Sequence, residues 1–196
     1  MKKRKILFDL QIFCAQEFGG ISKYFTEIFK EFEKNSNIKP LLSFKYHKNS
    51  YLKNLNSFNS IKVFGSFDFR GKNIFLNKMN SFLYNRALGF DLYHPTYYDY
   101  DLIRKINRTY VVTVYDMIQE RFSEINSSET RIIDQKKKII LGAKKIIAIS
   151  EQTKNDIIDF YNIPKDKIQV IHLASKITNN NNINVLKFKK PYFLFV

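Results

Sequence analysis

Cysteine is nearly absent from this chain of 196 residues, where Cys14 stands alone. That excludes an intramolecular disulfide framework and any multi-cysteine zinc site, and it fits a reducing compartment. Histidine occurs only at His47, His94 and His172, too scattered to outline a metal centre. No apolar run approaches the roughly 18 residues of a membrane span, so the chain is expected to sit at most on a membrane surface. The opening MKKRKILFDL has the charged start of a signal peptide, but its apolar run is only Ile6 to Leu10 before Gln11, Gln16 and Glu17. It reads instead as the first buried strand of a cytoplasmic protein. Neither the dinucleotide turn G-x-G-x-x-G nor a P-loop is present. Acidic residues are also scarce, 18 against 33 Lys plus Arg, a net charge of +15. With 44% hydrophobic residues, 19 Phe and 12 Tyr, there is nonetheless enough apolar surface to offset conformational entropy, so the chain is expected to fold.

The pattern alternates strands and helices. Strands are predicted at Lys5–Leu10, Ile38–Phe44, Ile61–Phe64, Phe90–His94, Thr109–Val114, Lys145–Ile149 and Ile168–Leu173. TYVVTV and KIIAI are β-branched and apolar on both faces, as in the centre of a parallel sheet. A loop ending in Gly19 and Gly20 leads to a helix in which Ile21, Tyr24, Phe25, Ile28, Phe29 and Phe32 fall on one side. Further helices are predicted over Lys72–Leu88, from Ser127 or Ser128 to Leu141, and from a cap at Ser150 to Asn162, which is suited to the left-handed conformation before Pro164. The polar stretch Tyr51–Ser60 reads as a surface loop. Such alternation implies right-handed crossovers and a Rossmann-like α/β fold, a mostly parallel sheet with helices on both faces. Residues 1–177 form this domain. The polar run 178–190 reads as a linker, and PYFLFV (191–196) as the first strand of a further domain, so the chain is expected to be truncated.

Open parallel sheets bind ligands beyond the carboxyl ends of their strands. Candidates therefore follow the strands, each with a structural alternative. Gly19 and Gly20 lead into a helix whose N–H groups can meet a phosphate, or form a corner needing positive φ. His94 and Tyr97 lie in DLYHPTYY, suited to stacking on sugar rings or to a packed aromatic loop. Asp116, after Tyr115, is costly at the end of a buried strand unless paired or at a solvent-filled crevice; it can also cap its loop. Ser150 and Glu151 border the same crevice, or act simply as helix cap and first-turn acid. Lys136 to Lys138 and the other lysine runs are largely solvated helix faces. They also suit an anionic membrane surface, whereas Lys with few Arg and no recognisable module points to no specific nucleic acid.

Together GGISKYF, DLYHPTYY, VVTVYDMIQERF, AKKIIAISEQTKNDIIDFYNIPKDKIQVIHLA and KPYFLFV resemble the family 4 retaining glycosyltransferases along nearly the whole chain. The resemblance implies the N-terminal, acceptor-side half of a two-domain GT-B fold. It places Gly19 and Gly20 beneath the phosphates of a UDP- or GDP-linked sugar, with Tyr115 and Asp116 as the catalytic pair facing the transferred sugar. His94 and Tyr97 fall on the acceptor side, and Ser150 and Glu151 near the cleft. Many members carry a His where this chain has Tyr115. The family holds its donor mainly with a second domain, through an Arg and Lys pair and a Glu-x7-Glu motif, and neutralises the leaving diphosphate with positive groups rather than a metal.

By this resemblance a hexose, with mannose among the candidates, would be moved to a lipid-linked or growing surface glycan such as lipopolysaccharide or capsule, at the inner face of the cytoplasmic membrane. The chain alone is expected to be inactive or nearly so, needing a second polypeptide. The alternative is a non-catalytic basic α/β module that docks on anionic membranes or nucleic acid, and would show salt-sensitive binding without any sugar requirement. A different Rossmann-like enzyme is disfavoured by the missing glycine turn and acidic ribose partner.

Overall fold

The computed structural model describes residues 2–44, 46–55, 61–62, 89–123 and 130–174. The helix predicted over Lys72–Leu88, the caps Ser127 and Ser128, the linker 178–190 and the strand 191–196 lie outside them. In chain order the described elements are β1 (Arg4–Phe8), α1 (Gln11–Ala15), α2 (Gly20–Lys34), β2 (Ile38–Leu42), β3 (Tyr46–His47), β4 (Ile61–Lys62), β5 (Leu92–His94), α3 (Tyr100–Ile106), β6 (Val111–Val114), α4 (Ile118–Arg121), α5 (Thr130–Gly142), β7 (Lys145–Ala148), α6 (Glu151–Tyr161) and β8 (Ile168–Val170).

Among the described residues every strand pairing is parallel. One sheet has the order β2-β1-β5, with Ile6 opposite Pro40 on one side and Leu92 on the other. A second runs β6-β7-β8, with Val112 opposite Ile146 and Ile146 opposite Ile168. The two meet where Tyr93 bridges Tyr110 and the Tyr93 N–H donates to the Thr109 carbonyl at 3.3 Å. The chain leaves β1 in one direction for β2 and later returns to its other side as β5, so the strand order reverses at β1 and β5. That is where an open α/β sheet opens a crevice.

Neighbouring side chains on a strand point to opposite faces, and β1 shows it. Leu7 joins a cluster with Val112, Val114, Ile139, Ile140, Ile146 and Ile157, beneath α3, α5 and α6. Phe8 joins Phe13, Phe25, Phe29, Phe44 and Leu52, beneath α1 and α2, its ring 5.9 Å from Phe25 and 6.1 Å from Phe29. Helices therefore cover both faces, and the fold is Rossmann-like α/β.

The caps at the C-terminal end form as the sequence predicts. The Ser150 hydroxyl accepts from the Thr153 N–H at 3.1 Å, and Asn162 closes α6 in the left-handed conformation at φ 51°. The first strand, however, stops at Phe8 rather than Leu10, because Leu10 is already helical and its carbonyl accepts from the Cys14 N–H at 3.0 Å, opening α1. Neither α1 nor α3 is expected from sequence. The stretch from Tyr51 is not wholly a surface loop: it makes a 3-10 turn over Tyr51–Asn54 that buries Leu52 to 1% exposure and Leu55 to 6%.

Candidate functional site

At the reversal, the first residue past β1 is Asp9, wholly buried. Donors converge on its carboxylate: the Tyr93 hydroxyl in a very short bond, Thr96 Oγ1 at 2.5 Å, the Thr96 N–H at 3.1 Å, the Gln11 N–H at 3.2 Å and Gln11 Nε2 at 2.7 Å. Burial outweighs these bonds and pushes the carboxyl up from its ordinary range. Gln11 continues the link, its Oε1 accepting from the Asp99 N–H at 2.7 Å, while Asp99 caps α3 through Leu102. Asp9 and Gln11 thus tie the ends of β1 and β5 to the loop carrying Tyr97. The sequence reading passed over them, although the rule that selected Asp116, a carboxylate just past a buried strand, applies to Asp9 equally.

Gly19 and Gly20 begin α2, but not as a left-handed corner, since Gly19 is extended at φ 170°. A Cβ on Gly19 would lie 2.2 Å from Gln16 Oε1, so a larger residue there would displace the Gln16 side chain. That oxygen accepts from the Ser22 N–H at 3.3 Å and supplies the cap that a glycine lacks. Nothing lies within 4 Å of a Cβ built on Gly20, so there is room beside the start of α2, where the N–H groups of Gly20 and Ile21 lack a carbonyl partner within the helix.

His94 is buried between Phe8 and Phe25, at 5.6 and 5.1 Å between ring centres, with Nε2 3.0 Å from Thr113 Oγ1. Burial lowers its pKa to about 4, so the ring is neutral near pH 7. Thr113 Oγ1 also shares a 3.4 Å hydrogen bond with the Tyr24 hydroxyl, and its carbonyl accepts from the Tyr98 hydroxyl at 3.2 Å. Tyr97 is 37% exposed, its ring 4.9 Å from that of Tyr98. Tyr115 stands edge-on to Tyr24 at 5.9 Å; its hydroxyl is buried without a hydrogen-bond partner among the described residues, and burial pushes the phenol pKa up.

Asp116 is partly buried, and its Oδ1 accepts from the Ile118 N–H at 3.2 Å. Ser150 caps α6 and Glu151 is exposed on its first turn. Gly20, Tyr97, Tyr115, Asp116, Ser150 and Glu151 thus all lie in segments that leave the carboxyl ends of the parallel strands β1, β5, β6 and β7, and His94 closes β5.

Behind Asp116 lies a buried ion pair. Lys136 Nζ donates to the Asp116 carbonyl at 2.6 Å and to Glu120 Oε2 at 3.0 Å, with both side chains 2% exposed. Lys136 therefore does not belong to the solvated face expected for Lys136 to Lys138. Its spacing to the buried Ile139 and Ile140 was the available signal. Among the described residues no group of three or more His, Cys, Asp or Glu could hold a metal ion, and no helix is long and apolar enough to cross a membrane.

A family model described as Glycosyltransferase Family 4 matches residues 18–174, well over half of the chain. The chain belongs to glycosyltransferase family 4. The match takes in every residue of the predicted site but leaves out Asp9, Gln11 and Gln16. Among solved structures, 13 chains match. One is described as a lipopolysaccharide outer core galactosyltransferase, WaaB, in its apo form, with a TM-score of 0.51 and 14% identity, covering 90% of this chain and 47% of that one. At that identity the likeness is one of fold. The family 4 chain described here spans about half the length of that structure. No curated protein sequence matches it.

Proposed function

We propose that this chain is the acceptor-side domain of a retaining glycosyltransferase that moves a hexose from a UDP- or GDP-linked sugar onto a growing surface glycan. It works together with a donor-binding domain and by itself has little or no transferase activity. What supports this, on a family 4 chain, is that the segments leaving the carboxyl ends of the strands carry a helix start with room beside Gly20, a phenol hydroxyl buried without a partner among the described residues, and a half-buried carboxylate. In the reaction the bond from the anomeric carbon to the diphosphate oxygen breaks, a bond to an acceptor hydroxyl oxygen forms, and the proton of that hydroxyl passes to the departing diphosphate. The N–H groups of Gly20 and Ile21 oppose the charge left on the diphosphate. Tyr115 Oη and the outer oxygen of Asp116 hydrogen-bond sugar hydroxyls, and Tyr97 offers a ring face to the acceptor. The charge of +15 suits an anionic membrane surface, where lipid-linked acceptors lie.

The test is a donor-hydrolysis and transfer assay with a panel of UDP- and GDP-sugars and a lipid-linked acceptor extract. It is run on the chain alone and on the chain co-expressed with the reading frame immediately downstream. Activity only in the second case is expected. Substituting Gly20→Ala should then lower turnover at least tenfold with no loss of stability, because the added methyl meets ligand rather than protein. Activity from the chain alone would put the donor phosphates elsewhere. Silence in both, with salt-sensitive binding to DNA or anionic vesicles, would favour a basic binding module.

A further inference from the structure

Lys136 is the only ammonium among the described residues placed in the buried interior, and its position is costly. An ammonium taken from water is stabilised only by well-placed acceptors, and an apolar side chain of the same volume often serves the fold as well or better. What Lys136 does at that position is hold one turn. It reaches from the middle of α5 beneath the segment joining β6 to α4, donates to the Asp116 carbonyl and Glu120, and lies 5.6 Å from the centre of the Tyr98 ring. The second oxygen of Glu120 accepts from the Tyr161 hydroxyl of α6 at 2.6 Å. The next residue, Arg121, forks onto Asp156 of α6, with Nε donating to Oδ2 at 2.9 Å, while Gln152 Nε2 donates to Oδ1 at 2.7 Å. Neither α5 nor α6 touches the turn through apolar contact alone; both grip it by directional bonds.

We propose that Lys136 is a positioning residue for Asp116, fixing from behind the direction in which that carboxylate faces the crevice. The peptide unit is planar, so anchoring the Asp116 carbonyl sets the plane of the Asp116–Met117 peptide. The side chain is set independently, because Oδ1 accepts from the Ile118 N–H in the same turn. With carbonyl and Oδ1 both held, Oδ2 is left on the open side. Replacing the ion pair by apolar or neutral groups keeps the core filled but frees the carbonyl, and the turn then samples other orientations. This inference rests on the reading of Asp116 as a sugar-facing carboxylate, yet its structural half can be tested without any sugar.

The experiment compares the full chain with Lys136→Met, Glu120→Gln and the double variant. Each single change leaves one buried charge without its opposite charge and should lower the melting temperature clearly. The double variant, which removes both charges, should regain most of that loss. In the double variant, amide exchange followed by NMR should be at least tenfold faster at Ile118 and Arg121, with rates in β6 and β7 unchanged. In the transfer assay with the co-expressed downstream polypeptide, its turnover number should fall at least tenfold at similar acceptor KM. Wild-type exchange at the turn, or undiminished turnover in a folded double variant, overturns the proposal. If the wild-type pair transfers no sugar, the proposed function fails while the exchange rates still decide whether Lys136 holds the turn.

Discussion

The two half-sheets solve the same packing problem with different chemistry. Around β1, β2 and β5 the covered face is largely aromatic, Phe8, Phe13, Phe25, Phe29 and Phe44 meeting at ring distances, and its polar centre is a carboxylate with neutral donors around it. Around β6, β7 and β8 the core is mostly aliphatic, Val112, Val114, Ile139, Ile140, Ile146 and Ile157, and its polar centre is an ion pair. A carboxylate served only by neutral dipoles is held by many bonds of fixed direction, whereas an ion pair depends on both charges being present. The first half should therefore fail when its one acceptor is lost, and the second when its charges are unbalanced.

The largest effect follows from removing that acceptor. Asp9→Ala strands the Tyr93 and Thr96 hydroxyls and the Gln11 amide in a buried site, and should destabilise the domain by about 3–5 kcal/mol in urea unfolding; a loss under about 1 kcal/mol would mean the network is decorative. Next comes pH. The folded pKa of His94, about 4, lies below its ordinary 6.5, so between those values the unfolded chain binds the proton preferentially. Stability from this group is complete above about pH 6.5 and is lost as pH falls toward 4, by up to about 3 kcal/mol. Asp9, with its pKa raised, acts in the opposite sense, gaining relative stability as it protonates. His94→Gln, which keeps a partner for Thr113, should flatten the fall between pH 7 and 4. The smallest effect belongs to the second half: Ser150→Ala removes a local cap and should cost about 1 kcal/mol, measured by the same unfolding.

What could be read from the sequence follows the same division. The parallel strands at Val111–Val114 and Lys145–Ala148, the Ser150 cap and the left-handed Asn162 depend on residues a few positions apart, and all were legible, although Lys145 is exposed and Ile147 only half-buried. The bonds that define the first half run between Asp9 and Tyr93 or Thr96, over 84 and 87 positions, and no local pattern announces them. For the same reason α1 stayed hidden, as did the buried Leu52. The strand ends that select the candidate positions were legible, because they follow from topology alone. The contact between Gly19 and the Gln16 amide was not, since it depends on side-chain placement and not on backbone handedness. Lys136 was masked by the run of three lysines, of which only Lys137 and Lys138 are exposed, and its i+3 and i+4 spacing to Ile139 and Ile140 was the one cue to its burial.

The junction between the half-sheets carries a mechanical consequence. Among the described residues one backbone bridge, Tyr93 to Tyr110, joins them, and side chains add to the grip: Leu7, Tyr93, Tyr98 and Tyr110 pack in one cluster across the line, while on the far side the Tyr110 hydroxyl donates to the Ile139 carbonyl at 2.7 Å. Gly142 leaves room for that hydroxyl, which would lie 2.5 Å from a Cβ there. Load crossing the sheet thus passes from a continuous ladder into a row of phenol rings and back. Under tension across the strands the domain would part along this seam, each piece keeping its own parallel ladder, and a chain cut near Asn107 would yield two fragments whose reassembly is governed by tyrosines.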